Sequence, residues 1–347
     1  MRKGIQRILG LGLGLWLAAA PAAAEEAAKL LPALELPEAA DGEFAILTAS
    51  EDPQIGPHED GYLFEAGEKS PYGYADPSIT VRIGTGRIYD TNYMYARVRI
   101  ADAMQLRTMM ANDSLKKSST VMAHLLARRV QAVVAINGVL EADDMIAGPV
   151  VRQGVTLRPA ENTSASKLEN WKGQECSDTL VIDDAGDLHI LRSETWGGIL
   201  EQIAEFGDSA VNVISFGPGL IIDGEPYYGY NNRQMATHRL AQRMALCQTG
   251  PLEYLLITSE GPEDPGSKGL RLDQFTELLA SFPEIINAYN LDGGSSSTLV
   301  FRKGSENWAK VNCPRSGKKR PLKDLIYFAD AWAPDPAAGG EQAGGTP

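Results

Sequence analysis

Cysteine is scarce in this chain of 347 residues: Cys176, Cys247 and Cys313 are the whole supply. Three thiols so widely spaced exclude a disulfide framework and a thiolate zinc site. They leave room for one bridged pair with an odd thiol, or for three ordinary buried thiols. Histidine is nearly as rare, at four residues, and the carboxylates are not grouped at ligand spacing, so neither a metal nor a cofactor site is legible. Asp143-Asp144 and Asp183-Asp184 read as solvated loop charges, although acidic loops of this kind are compatible with calcium. Positive charge is in deficit, with 32 Lys and Arg against 45 Asp and Glu and a formal net charge of −13. A surface this acidic repels nucleic acid and anionic lipid, which argues against both as partners. No apolar run reaches the roughly 20 residues that a membrane-spanning helix needs.

What the N-terminus does carry is Arg2, Lys3 and Arg7, then an apolar run from Ile8 to Ala20, then Ala-Pro-Ala-Ala-Ala before Glu25-Glu26. That order is the pattern of a secretory signal peptide over 1–24, and it implies a secreted, extracellular bacterial protein with no membrane span once the leader is cut. Three positive charges and no negative ones leave with it, which takes the net charge from −13 to −16. An anionic substrate then needs a local cluster of arginine or backbone amides, so any arginine in a chemical motif gains weight. Residues 25–77 begin rich in Ala, Pro and Glu and continue through Pro and Gly punctuation, which reads as a linker and irregular lead-in. The folded domain is expected over 78–333, followed by a flexible Pro/Ala/Gly tail at 334–347.

Apolar alternation marks strands at Ser78 to Ile83, Tyr93 to Ile100, Ala132 to Ile136, Thr179 to Ile182, Asp187 to Leu191, Val213 to Phe216 and Tyr254 to Thr258. Helical spacing appears over Ser118 to Val130, Glu194 to Ala204 and Leu270 to Ser281. Strands and helices are interspersed in a single stretch, so the fold class is α/β (α+β), one mixed-sheet domain.

The most informative segment runs from Ala288 to Val300, where Asn290-Leu-Asp-Gly-Gly-Ser-Ser-Ser-Thr298 joins a carboxylate, two glycines and four hydroxyl residues. Gly293 and Gly294 permit positive φ, and the amides and hydroxyls of Ser295, Ser296 and Ser297 offer donors to an anion. Asp292 would stand beside the bound group as a carboxylate able to act on a proton or an electron-poor carbon. A Gly/Ser hairpin turn would have the same composition.

The segment resembles the signature of the phosphodiester glycosidase family, Asn-Leu-Asp-Gly-Gly-Gly-Ser-Ser-Thr. Further segments are similar to that family in the same order: Val134-Ala-Ile-Asn-Gly138, Ser215-Phe-Gly-Pro218 with Asp223-Gly224, Arg243-Met-Ala-Leu-Cys247, and Val311-Asn-Cys-Pro314 with Arg320. The resemblance spans about Tyr93 to Phe328. It implies a mixed α/β domain around β-sheet and cleavage of a glycosidic bond to phosphate, as in N-acetylglucosamine-1-phosphodiesters. The partner would be a carbohydrate phosphodiester or envelope glycan.

On that resemblance Asp292 is the first choice for the catalytic carboxylate, and Glu260 the candidate second one, because glycoside cleavage commonly uses a pair. Arg243 is the expected phosphate partner through its planar fork. Asn137 and Gly138 at a strand end, His238, and the loop Gly293, Gly294, Ser295, Ser296 and Ser297 complete the expected substrate-binding set. Three departures stand out: Val139 where the family has another Gly, Ser295 for the third Gly of the loop, and Pro262 where an Arg is usual. They keep two other readings in play, a secreted non-catalytic binder of phosphorylated or acidic glycans and an accessory protein of exopolysaccharide biosynthesis.

Overall fold

Every strand pairing among the described residues is antiparallel. The computed structural model describes residues 44–46, 61–113, 120–139, 148–158, 176–229, 237–304, 307–313 and 320–334. The expected leader at 1–24, the Asp143-Asp144 pair and the tail from 335 onward lie outside these residues.

Three large sheets, beside two two-stranded ones, make up the sheet structure of the described residues. The largest has nine strands, in the order Glu225–Pro226, Gly219–Ile222, Asn287–Asn290, Met244–Gly250, Glu253–Ser259, Thr91–Ile100, Ile79–Ile88, Gly73–Ala75 and Tyr62–Leu63. One five-stranded sheet runs Trp308–Lys310, Leu299–Arg302, Val134–Asn137, Asp324–Phe328 and Leu106–Met110. The other runs Val155–Arg158, Val150–Arg152, Ala210–Ser215, Thr179–Asp183 and Leu188–Leu191.

Period-two alternation explains how the layers stack. On the large sheet Ala96, Val98, Met244, Leu246, Tyr254 and Leu256 point into a central core, where they meet Val134, Ile136, Leu299, Phe301 and Ile326 of one small sheet and Leu180, Ile182 and Ile214 of the other. The opposite face of each sheet buries a helix. Leu272–Ala280 covers Tyr93, Tyr95, Ala245, Cys247 and Ile257; Ala123–Arg129 covers Ala135, Val300 and Leu325; Trp196–Phe206 covers Val181 and Val213. Sheets buried on both faces are apolar at consecutive positions, as in Met244-Ala-Leu-Cys247.

The fold class therefore holds, in its α+β form. All seven expected strands are present with ends shifted by a few residues, and the helices at Trp196–Phe206 and Leu272–Ala280 match theirs. Two expectations need correction. Residues 61–77 are not an irregular lead-in: Tyr62–Leu63 and Gly73–Ala75 extend the large sheet, and Tyr74 is fully buried. The helix expected from Ser118 is confined to Ala123–Arg129, because Val121 and Met122 are extended and paired with Leu322 and Pro321. Pairing of Trp332–Pro334 with Phe44–Ile46 likewise carries sheet structure to the start of the expected tail. All three cysteines are free thiols, and burial pushes each one up in pKa, so they stay protonated. Among the described residues no helix is long and apolar enough to cross a membrane.

Candidate active site

The segment Leu291 to Thr298 leaves the large sheet after Asn290 and enters a five-stranded sheet at Leu299, crossing where the ends of the two sheets meet. Backbone bonds fasten its near side: Leu291 N–H donates to the Met244 carbonyl at 2.9 Å and Gly294 N–H to that of Gln242 at 2.9 Å. A Cβ on Gly293 would lie 2.7 Å from the same Gln242 oxygen, so only glycine fits this approach. On the far side Asn137, buried at the end of its strand, grips both ends of the loop. Its Nδ2 donates to the Asp292 carbonyl at 2.8 Å and its Oδ1 accepts from Thr298 N–H at 2.9 Å. Asn312 repeats the device one turn on, donating to the Ser297 carbonyl and accepting from Leu299 N–H.

Gly138 is the hinge of the constellation. Its carbonyl accepts from Asp292 N–H at 3.2 Å, and a Cβ there would collide with the carboxylate of Asp324. Asp324 is almost wholly buried, accepts from Val139 N–H at 3.1 Å and faces Arg152 at 3.5 Å. Arg152, equally buried, is itself held by the carbonyls of Val151 and Val213.

A small solvent-open cleft lies over these groups, lined among others by Asn137, Gly138, Asp292, Ser296, Arg320, Lys323 and Asp324. Burial raises the pKa of Asp292, partly offset by a hydrogen bond from Ser296, the charge of Arg320 and the Gly293 N–H. Ser296 links them: its hydroxyl accepts from Arg320 Nη1 at 2.9 Å and bonds the Asp292 carboxylate. Arg320 Nη1 also approaches Ser295 Oγ at 3.4 Å. The cleft thus brings together a desolvated carboxyl group, a second carboxylate and two cations.

The expected residues divide accordingly. Asn137, Gly138, Asp292 and Ser296 come together at the cleft, whereas Arg243, Glu260, His238, Gly293, Gly294 and Ser297 do not line it. The Arg243 backbone does pack beside Gly293, but its buried guanidinium turns to the carbonyls of Leu270 at 3.1 Å and Arg239 at 2.8 Å. Glu260 sits beyond the neighbouring strand, about 10 Å from the Asp292 segment by two strand spacings. Its carboxylate accepts from Asn92 Nδ2 at 3.0 Å and Ser267 Oγ at 2.7 Å. His238 is exposed. Three of the loop amides are spent internally, Gly294 N–H on Gln242, Ser296 N–H on Gly293 and Ser297 N–H on Gly294. Ser297 is fully buried and its hydroxyl has no partner among the described residues.

The family resemblance includes Arg320 without a role, and Lys323 and Asp324 belong to none of the motifs. The available signal was a charged cluster, Arg320, Lys323 and Asp324, opening the otherwise apolar strand Leu325 to Phe328. Among the described residues no group of three or more His, Cys, Asp or Glu is placed to hold a metal ion.

The chain belongs to the phosphodiester glycosidase family, whose model matches residues 130–329. No curated protein matches it. Its fold resembles the catalytic domain of zebrafish N-acetylglucosamine-1-phosphodiester α-N-acetylglucosaminidase, auto-inhibited by its pro-peptide, at 16% identity and a TM-score of 0.55, over 78% of this chain and 87% of that one. A protein from Synechocystis is similar at 16% identity and a TM-score of 0.46, over 73% of this chain and 62% of that one.

Proposed function

We propose that this protein is a secreted hydrolase that cleaves the bond between a sugar anomeric carbon and phosphate in a sugar-1-phosphodiester of cell-envelope or extracellular glycan. The observation that carries this reading is the triad Arg320–Ser296–Asp292 at the cleft. Arg320 offers a fork to the phosphate oxygens, and Ser296 keeps it in register with the acid. A phosphomonoester leaving group has a second pKa near 6. Asp292, raised above the ordinary carboxylate range of about 4, is better matched to protonate it than a solvated aspartate.

The test is incubation of the purified mature chain with an α-N-acetylglucosaminyl phosphodiester, following free sugar and phosphomonoester together. Wild type is expected to release both. Asp292→Asn should lower kcat by about 100-fold or more, in the range of lost acid catalysis, and Arg320→Met should raise KM. A wild type that binds the diester without releasing sugar would favour the glycan-binding alternative, to which the engagement of Glu260 with Asn92 and Ser267 lends support.

A further inference from the structure

We infer that Asp324 is the second catalytic carboxylate of this cleft, the fixed negative charge that faces the anomeric carbon while Asp292 serves the leaving phosphate. The inference rests on the hydrolytic reading above and replaces Glu260 in it.

Four observations converge on Asp324. It lines the same cleft as Asp292, Ser296 and Arg320. The two carboxylate-bearing segments are tied through one residue pair, Asn137 holding the Asp292 carbonyl and Gly138 accepting from Asp292 N–H. The missing side chain of Gly138 is what lets the Asp324 carboxylate lie against that backbone. Finally, Asp324 is the carboxylate that Arg152 and the Val139 N–H hold in place, in a pair whose side chains are each only 4% exposed. A buried ion pair adds little stability over apolar packing, so one placed at the floor of a cleft calls for a use beyond folding. Two carboxyl groups in contrasting surroundings, one desolvated and one ion-paired, are the arrangement that divides acid from anion in glycoside cleavage.

In the step itself the C1–O bond of the diester breaks with its electron pair going to the phosphate oxygen, which takes the proton of the Asp292 carboxyl. A water oxygen forms the new bond to C1 and releases one proton to solvent, from which Asp292 is protonated again. Asp324 exchanges neither proton nor electrons. Its charge lowers the energy of the positive charge that builds at C1.

Steady-state kinetics on the α-N-acetylglucosaminyl phosphodiester test this, with activity expressed per folded molecule by circular dichroism. Asp324→Asn should lower kcat by about 100-fold or more with KM within about threefold, in the range of a lost electrostatic contact. Because removing one partner strands the buried guanidinium, the double variant Asp324→Asn/Arg152→Met serves where the single one does not fold, and the same loss of kcat is expected. Gly138→Ala, which keeps both charges but displaces the Asp324 carboxylate, should lower kcat at least tenfold. Added formate should restore part of the turnover of Asp324→Gly, whereas a purely structural role would let formate raise the melting temperature and leave kcat alone. An active wild type whose Asp324→Asn or double variant keeps kcat within threefold overturns the inference and leaves the hydrolase standing. An inert wild type overturns both.

Discussion

Arg243 and Asp292, two residues of the same sequence signature, meet opposite surroundings. Arg243 has a motif position and an acidic background that point to phosphate, yet its guanidinium holds two carbonyl groups in the interior. Arg243→Met should strand those acceptors and destabilise the fold by roughly 2–4 kcal/mol. A urea titration reads that loss, and kcat/KM per folded molecule should stay within about threefold. Asp292 behaves oppositely, because burial without a direct ion partner favours its protonated form. Activity requiring that proton is present below the Asp292 pKa and lost as pH rises through it. The alkaline limb of kcat/KM should therefore lie above the ordinary carboxylate range of about 4, and Ser296→Ala should move it further up by removing the bond that favours the ionised form. A pH–rate profile of the two proteins checks both statements.

At the scale of elements, the strands and helices with clear period were legible, and so were Glu253–Ser259 and Val134–Asn137 although buried on both faces, but four other doubly buried strands were not. Met244–Gly250, Asn287–Asn290, Leu299–Arg302 and Asp324–Phe328 are apolar at neighbouring positions because each lies between the central core and a helix-covered layer, which erases the alternation that marks a half-buried strand. The chemical motifs fared similarly. The loop at Asp292 and the Asn137-Gly138 strand end were readable as candidate site segments because each is a contiguous motif, although Asn137 binds the loop 155 positions away. Arg320 and Asp324 reach the cleft only through the pairing of Leu325 with Asn137, a contact 188 positions apart in the chain that no local pattern encodes. Ser215-Phe-Gly-Pro218 proves to be a buttress: Asn290 N–H donates to the Pro218 carbonyl at 3.0 Å and its Nδ2 to that of Gly217 at 2.8 Å, which fixes the strand end two residues before Asp292.

Across the whole molecule, a buried carboxyl pair joins the first strands of the large sheet to the chain beyond the last core strand. Asp76 and Asp330 are both bonded by Tyr74 Oη, at 2.7 and 3.0 Å, and by Ser78 Oγ, at 2.9 and 3.1 Å. Burial, with the negative charge of Asp76 beside it, raises the Asp330 pKa to about 8. A carboxyl held above its unfolded value contributes stability that is complete below about 4 and lost as pH rises toward 8. The melting temperature should accordingly fall between pH 5 and about 8.5, and Asp330→Asn, which keeps a neutral hydrogen-bonding group there, should flatten that slope. Differential scanning calorimetry across the range distinguishes the two.

The convergence of Asn137-Gly138, the Asp292 loop and the Arg320–Asp324 segment on one ligand is tested most directly by a crystal structure with a non-hydrolysable sugar-1-phosphonate. The phosphonate is expected on Arg320, with the anomeric carbon between the carboxyl groups of Asp292 and Asp324. A ligand seated instead against Arg243 and Glu260, with the Asp292 cleft empty, would contradict that arrangement.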